Sequence, residues 1–228
     1  WSWQIVMHIT ALACFAAMVA VWICYRPPPG GQVVGKRGIG FHVPRREVGV
    51  ICYAGLVWAV YNAAYFSYLS FGPALLIERG MDVATAGTAI SLASWAALPA
   101  LPIGGFLADR TGRPGLILTI SCLAAALCAG AMPLIDQPFV LSLLIGLFAA
   151  APAGIIIGRA TLLMTPANRA QGNAILYTFF YGGMGLVPGV VGWSADVSGT
   201  AAAPIYFTAA AIALTAPLFL SQSLLARR

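Results

Sequence analysis

The sequence predicts an all-α polytopic membrane protein with seven transmembrane helices, and three observations carry that prediction. Of 228 residues, 61% are hydrophobic and 8% charged, where an ordinary soluble domain carries about 25% charged residues. The apolar residues fall in blocks of roughly twenty, the length that crosses about 30 Å of hydrocarbon at about 1.5 Å per residue. The blocks do not alternate apolar and polar residues as the strands of a lipid-embedded barrel do. Backbone groups in lipid must be paired within the segment, so each block reads as a helix.

Punctuation along the chain sets the seven spans. The first occupies residues 1–25 and stops at Arg26 and the run Pro27-Pro28-Pro29-Gly30-Gly31, which no helix survives. Residues 26–47 form a basic linker carrying Lys36, Arg37, Arg45 and Arg46. Residues 48–228 hold the other six spans. The second is expected over about 48–77, closed by Glu78-Arg79-Gly80-Met81-Asp82. The third covers about 84–108 and ends in Asp109-Arg110-Thr111-Gly112-Arg113-Pro114. The fourth covers 115–135, with Asp136-Gln137-Pro138 as its turn. The fifth, about 139–164, ends at Thr165-Pro166-Ala167-Asn168-Arg169. The sixth, about 172–193, and the seventh, about 203–225, are separated by Asp196-Val197-Ser198-Gly199.

Successive helices alternate direction, so the loops fall on two sides. One side carries eleven of the twelve Lys and Arg residues, and the other carries Arg79 with Glu78, Asp82, Asp136 and Asp196. By the positive-inside rule the basic side, with the linker and the C-terminus, is cytoplasmic, in a plasma (inner) membrane. The net charge of +6 is thereby a topology signal and not a sign of nucleic-acid binding. The opening Trp1-Ser2-Trp3 lacks the charged start of a signal peptide and reads as a cut inside a longer protein.

Catalysis finds no foothold. The span interiors carry no Asp or Glu, and no GxSxG, HExxH or phosphate-cradling Gly-Lys loop is present. The five cysteines (Cys14, Cys24, Cys52, Cys122 and Cys128) show no CxxC, and His8 and His42 lie far apart. No metal site and no cofactor are expected.

Polar side chains inside the spans mark the candidate pathway. Trp58, Tyr61, Tyr65 and Tyr68 recur at i, i+3, i+7 and i+10 with Asn62 beside them, so they share one helix face. Such groups need partners or water in hydrocarbon, which fits a substrate cavity or polar packing between helices. The sixth span repeats the theme with Tyr177 and Tyr181, preceded by Asn173, and the third offers Trp95 near Ser91 and Ser94. Pro188 and the glycines of the sixth span fit a hinge or close packing equally.

The stretch Gly105-Phe106-Leu107-Ala108-Asp109-Arg110-Thr111-Gly112-Arg113 resembles the cytoplasmic loop signature of the major facilitator superfamily (MFS). The resemblance implies two six-helix halves joined by a long cytoplasmic linker. Counted from the linker, the signature falls between the second and third following spans, so the chain resembles the sixth to twelfth helices, the last six forming one MFS-type half. The fourth helix of an N-terminal half often carries an arginine, and Gly146-Leu147-Phe148 has none. Pro114 stands where the signature ends on a basic residue. By resemblance the function is secondary transport of a small-molecule substrate, with or without a coupling ion, by alternating access around a site near the bilayer midplane. The implied partners are the bilayer and an N-terminal half. Gly105, Asp109, Arg110, Gly112 and Arg113 would form a conformational latch, Asp109 seating against the positive start of the sixth span near Gly172. The alternative is a sensor or scaffold built on the same helices without transport.

Overall fold

The computed structural model describes residues 3–26, 43–165 and 168–225. Lys36, Arg37 and the other linker residues 27–42 lie outside the described residues, as do Arg227 and Arg228. The chain divides into two units, residues 1–40 and 41–228. The first holds α1 (Trp3–Cys24), apolar apart from Gln4, His8 and Thr10 near its start. The second holds α2 (Arg45–Glu78), α3 (Val83–Thr111), α4 (Pro114–Ala131), α5 (Pro138–Leu162), α6 (Arg169–Ser198) and α7 (Ala202–Leu225). All seven are long and apolar enough to cross a membrane.

The helix limits correct the expected ones where local chemistry outweighs hydropathy. The expected linker loses its last residues because α2 begins at Arg45, directly after Pro44. The fourth span was expected to reach Ile135, but α4 ends at Ala131. Pro133 lacks the N–H that would continue the ladder, and residues 132–134 form a turn. Helix α3 instead outruns its apolar block, through Asp109 and Arg110 to Thr111. It stops at Gly112, whose φ of 62° is the left-handed cap that favours glycine. Pro114 then opens α4 at the position where a missing N–H costs nothing. Helix α6 runs unbroken from Arg169 to Ser198 through Pro188.

In the second unit α2 and α5 are the most buried helices and α6 the least. Helix α3 packs chiefly on α5, α2 on α6 and α7, and α4 on α5 and α7. The α3–α5 seam is built from small residues. Ala89, Ala93, Ala96, Ala100 and Gly104 are buried along α3, with Gly146, Ala149, Ala150 and Ala153 on α5. A Cβ on Gly146 would run into the Ala93 backbone, and one on Gly104 would stand 2.5 Å from the Ala151 carbonyl oxygen. Two backbones this close gain dispersion contacts over their whole length, the association force left when lipid surrounds both helices. Larger side chains fill the rest of the core, where Ile51, Val57, Leu118, Ile145, Ile156, Ile205 and Ile212 are fully buried.

One turn ties three helices together on the acidic side. The Glu78 carboxylate accepts from the Ala201 amide at 2.6 Å and the Thr200 hydroxyl at 3.3 Å, just before α7 starts. Its neighbour Arg79 donates from Nη1 to the carbonyls of Met132 at 2.8 Å and Ile135 at 3.2 Å, just after α4 ends. An anion thus meets a helix N-terminus and a cation a helix C-terminus, the arrangement both dipoles favour. On the same side Asp82 caps α3 by accepting from the amides of Ala84 and Thr85.

Candidate functional site

Helical spacing puts Trp58, Tyr61, Tyr65 and Tyr68 on one face of α2, and the fold turns that face inward. Tyr61 is buried and its hydroxyl donates to the Ala149 carbonyl of α5. One turn on from Tyr65, the Tyr68 hydroxyl donates to Ser142 Oγ, also on α5, at 2.8 Å. Asn62 is buried too, and its amide donates to the Trp58 carbonyl of its own helix at 2.8 Å. These three side chains are satisfied inside the bundle. Tyr65 is half-buried with its hydroxyl toward Ser94 of α3, outside hydrogen-bonding geometry, and neither it nor Trp58 Nε1 has a hydrogen-bond partner among the described residues.

From Trp58 the aromatic residues continue outward. Its ring stacks on Tyr61 at 5.6 Å and on Phe180 of α6 at 5.8 Å. Phe180 meets the ring of Tyr181 edge-on at 4.8 Å and that of Tyr177 at 6.0 Å. Tyr177 and Tyr181 are 46% and 66% exposed, so a continuous aromatic ladder leads from the α2–α5 contact to an open face of α6. Trp95, 69% exposed on α3, is not part of it. Sequence reasoning missed Phe180, although it completes the run Tyr177-Thr178-Phe179-Phe180-Tyr181. It also missed Ser142, a single hydroxyl in an apolar stretch whose partner belongs to another helix. On the other flank of the α2–α6 contact lies a cavity of about 380 Å³, lined almost wholly by apolar groups such as Leu56, Val60, Phe179 and Leu186.

The α3–α4 loop presents its charges outward. Asp109, Arg110 and Arg113 are exposed, and Arg110 lies 6.0 Å from the Phe106 ring. The expected seat of Asp109 against the start of α6 is not found among the described residues. Asp109 has no hydrogen bond or ion pair among the described residues, and α3 packs on α5 and α2. The start of α6 is taken up by α2 instead: Asn168 donates to the Glu47 carboxylate at 3.2 Å. Beneath that contact Val43, Ile51 and Met164 cluster, with Met164 against Gly172. Gly105 has open space where a Cβ would stand, so in this chain it is Gly104 that the packing holds to glycine. Among the described residues no His, Cys, Asp or Glu side chains gather into a metal-binding group.

Seven bilayer-length helices among the described residues, six of them in one unit with an aromatic face and a charged Gly-Asp-Arg-Gly-Arg loop, define a polytopic membrane protein. A family model described as the Major Facilitator Superfamily matches residues 1–151 and 57–226. The chain belongs to that superfamily, and it is a membrane transporter in the general sense the family carries. Comparison with curated proteins gave no match, and comparison with solved structures gave none.

Proposed function

We propose that the chain supplies the sixth to twelfth helices of a secondary transporter in the plasma (inner) membrane. The basic linker and the C-terminus face the cytoplasm, and a small solute moves by alternating access between this half and an N-terminal half. The observation that carries the reading is the aromatic ladder from Tyr61 through Trp58 and Phe180 to Tyr177 and Tyr181. Aromatic groups that open on one side of a bundle offer stacking faces to a solute, and Trp58 Nε1 and the Tyr65 hydroxyl, buried behind them without a partner among the described residues, would give it hydrogen bonds once the site opens. Tyr61 and Asn62 serve as the rigid back wall, and Trp95 supplies a further aromatic group from α3. The exposed loop of Gly105, Asp109, Arg110, Gly112 and Arg113 acts as the latch, with its partner on the N-terminal half.

Cysteines at positions 65, 177 and 181 test the pathway. They should react with small polar thiol reagents, and substrate should slow the reaction. Cysteines at 123 and 127 should stay unreactive, because Leu123 and Leu127 are exposed on the apolar α4 and face lipid in this reading. Equal reactivity at both sets, or reaction at 177 and 181 indifferent to substrate, would refute the pathway. Labelling of a cysteine at Lys36 from outside sealed cells would refute the orientation.

A further inference from the structure

On the basic side of the bundle the start of α4 and the ends of α5 and α7 surround a cavity of about 170 Å³. Its walls are Pro114, Gly115, Arg159, Phe219 and Leu220, so α2 and α6, which carry the aromatic ladder, take no part in it. Arg159 lies in the last turn of α5 and is half-buried. Its guanidinium makes no hydrogen bond and no ion pair among the described residues. Among the described residues the carboxylates of this side do not neutralise it: Asn168 engages Glu47, and Asp109 is exposed without a partner among them. Five N–H donors beside a cavity, with no acceptor, amount to a recognition element waiting for an anion. The first turn of α4 lines the same cavity, and Arg113 ahead of it provides no side-chain cap. The positive end of that helix dipole therefore adds to the field of the arginine.

We propose that this cavity binds the phosphate of an anionic phospholipid headgroup. The guanidinium fork matches two phosphate oxygens at once. Depth favours a lipid over a soluble phosphate: one helical turn inside the end of a span, about 5 Å, is where headgroups meet acyl chains. The walls favour it as well. Phe219 and Leu220 are apolar, Leu220 is 45% exposed, and together they give the upper part of an acyl chain a surface to follow. Gly115 keeps the cavity open, since a Cβ there would stand 3.1 Å from Leu220.

Native mass spectrometry of the full-length protein, titrated separately with phosphatidylglycerol and phosphatidylcholine, tests this. The wild-type protein should retain phosphatidylglycerol preferentially. Arg159→Gln should weaken that retention about tenfold, the worth of one charge-assisted pair, and leave phosphatidylcholine unchanged. Arg159→Lys should keep part of the preference. Gly115→Leu fills the cavity with every charge in place and should also lose it. Thermal unfolding of each variant separates loss of the site from loss of the fold, and Gly115→Leu with Arg159→Lys carries the test if Arg159→Gln does not fold. Undiminished phosphatidylglycerol retention in a folded Arg159→Gln protein overturns the proposal. Retention by Gly115→Leu places the arginine's effect at the surface and overturns the cavity. Competition by inorganic phosphate as strong as that of the lipid makes the ligand a soluble anion and overturns the lipid.

Discussion

Replacing Arg79 by glutamine removes the cation that holds the C-terminal end of α4. In the wild-type structure Nη1 donates to Met132 and Ile135 at 2.8 and 3.2 Å. The contact to Asp136 is longer, 3.8 Å, and that carboxylate is 92% exposed. Hydrogen bonds from a charged donor contribute about 1.5–3 kcal/mol when shielded from water. The Arg79 side chain is 30% exposed, and its two bonds share one nitrogen, so about 2 kcal/mol is the reasonable sum. The exposed ion pair adds little, since such pairs are worth roughly 0–1 kcal/mol. In a protein of this size each kcal/mol moves the midpoint by about 2–4 °C, so Arg79→Gln should unfold about 4–8 °C earlier. Asp136→Asn should leave the midpoint nearly where it was. The assay is thermal unfolding in a mild detergent followed by intrinsic tryptophan fluorescence. An Arg79→Gln midpoint equal to wild type would refute the clamp. A drop in Asp136→Asn as large as that in Arg79→Gln would show that the ion pair, not the carbonyl contacts, holds the turn.

Gly146→Leu should abolish accumulation of folded protein, because its side chain meets the Ala93 backbone, whereas Gly105→Ala should express and unfold like wild type; membrane yield and fluorescence-detected size exclusion measure both. Tyr68→Phe removes the bond to the fully buried Ser142 and should destabilise the protein by about 1 kcal/mol, read as a lower midpoint. Asp109→Asn should insert normally yet transport about two- to fivefold more slowly, the scale of one exposed charge pair of up to about 1 kcal/mol made in a single conformation; initial rates at matched expression decide it. The Thr85 hydroxyl and amide, with the Ala84 amide, hold the Asp82 carboxyl below the usual carboxylate range. Its contribution to stability is therefore full above the unfolded-chain value and disappears as pH falls through the lower folded value. Asp82→Ala should flatten the acid limb of stability against pH, and an unchanged limb would exclude the cap as its source.

Where the spans lie was readable because hydrocarbon imposes a length and prolines and charges impose stops. The loop signature was readable because three of its features are local: the glycine at a left-handed cap, the charges in the last turn and the short interval between them. Partners were not readable. Tyr61 and Tyr68 formed a visible stripe, but whether the stripe met α5, α6 or a cavity depends on how helices distant in sequence pack. The structure sends Tyr61 and Tyr68 to α5 and Trp58 to α6. The seat first expected for Asp109 failed for the same reason, since α6 begins against α2. Glu78 and Arg79 looked like an ordinary polar turn, because their shortest bonds go to backbone atoms, which no side-chain pattern reports.

The seam between α3 and α5 sets a limit of another kind, on how this sequence can drift. Where a Cβ at Gly146 would overlap backbone, no neighbouring rotamer can yield, so the ceiling on side-chain volume is fixed by main chain alone. Gly87, Gly105 and Gly158 have open space around them, and point changes there can accumulate at little structural cost. A lineage that exchanges nearly every lipid-facing residue would still keep its smallest residues at Ala93, Gly104, Gly146 and Ala151. Distant kinship in such a bundle is therefore better sought in the register of its small residues than in overall identity.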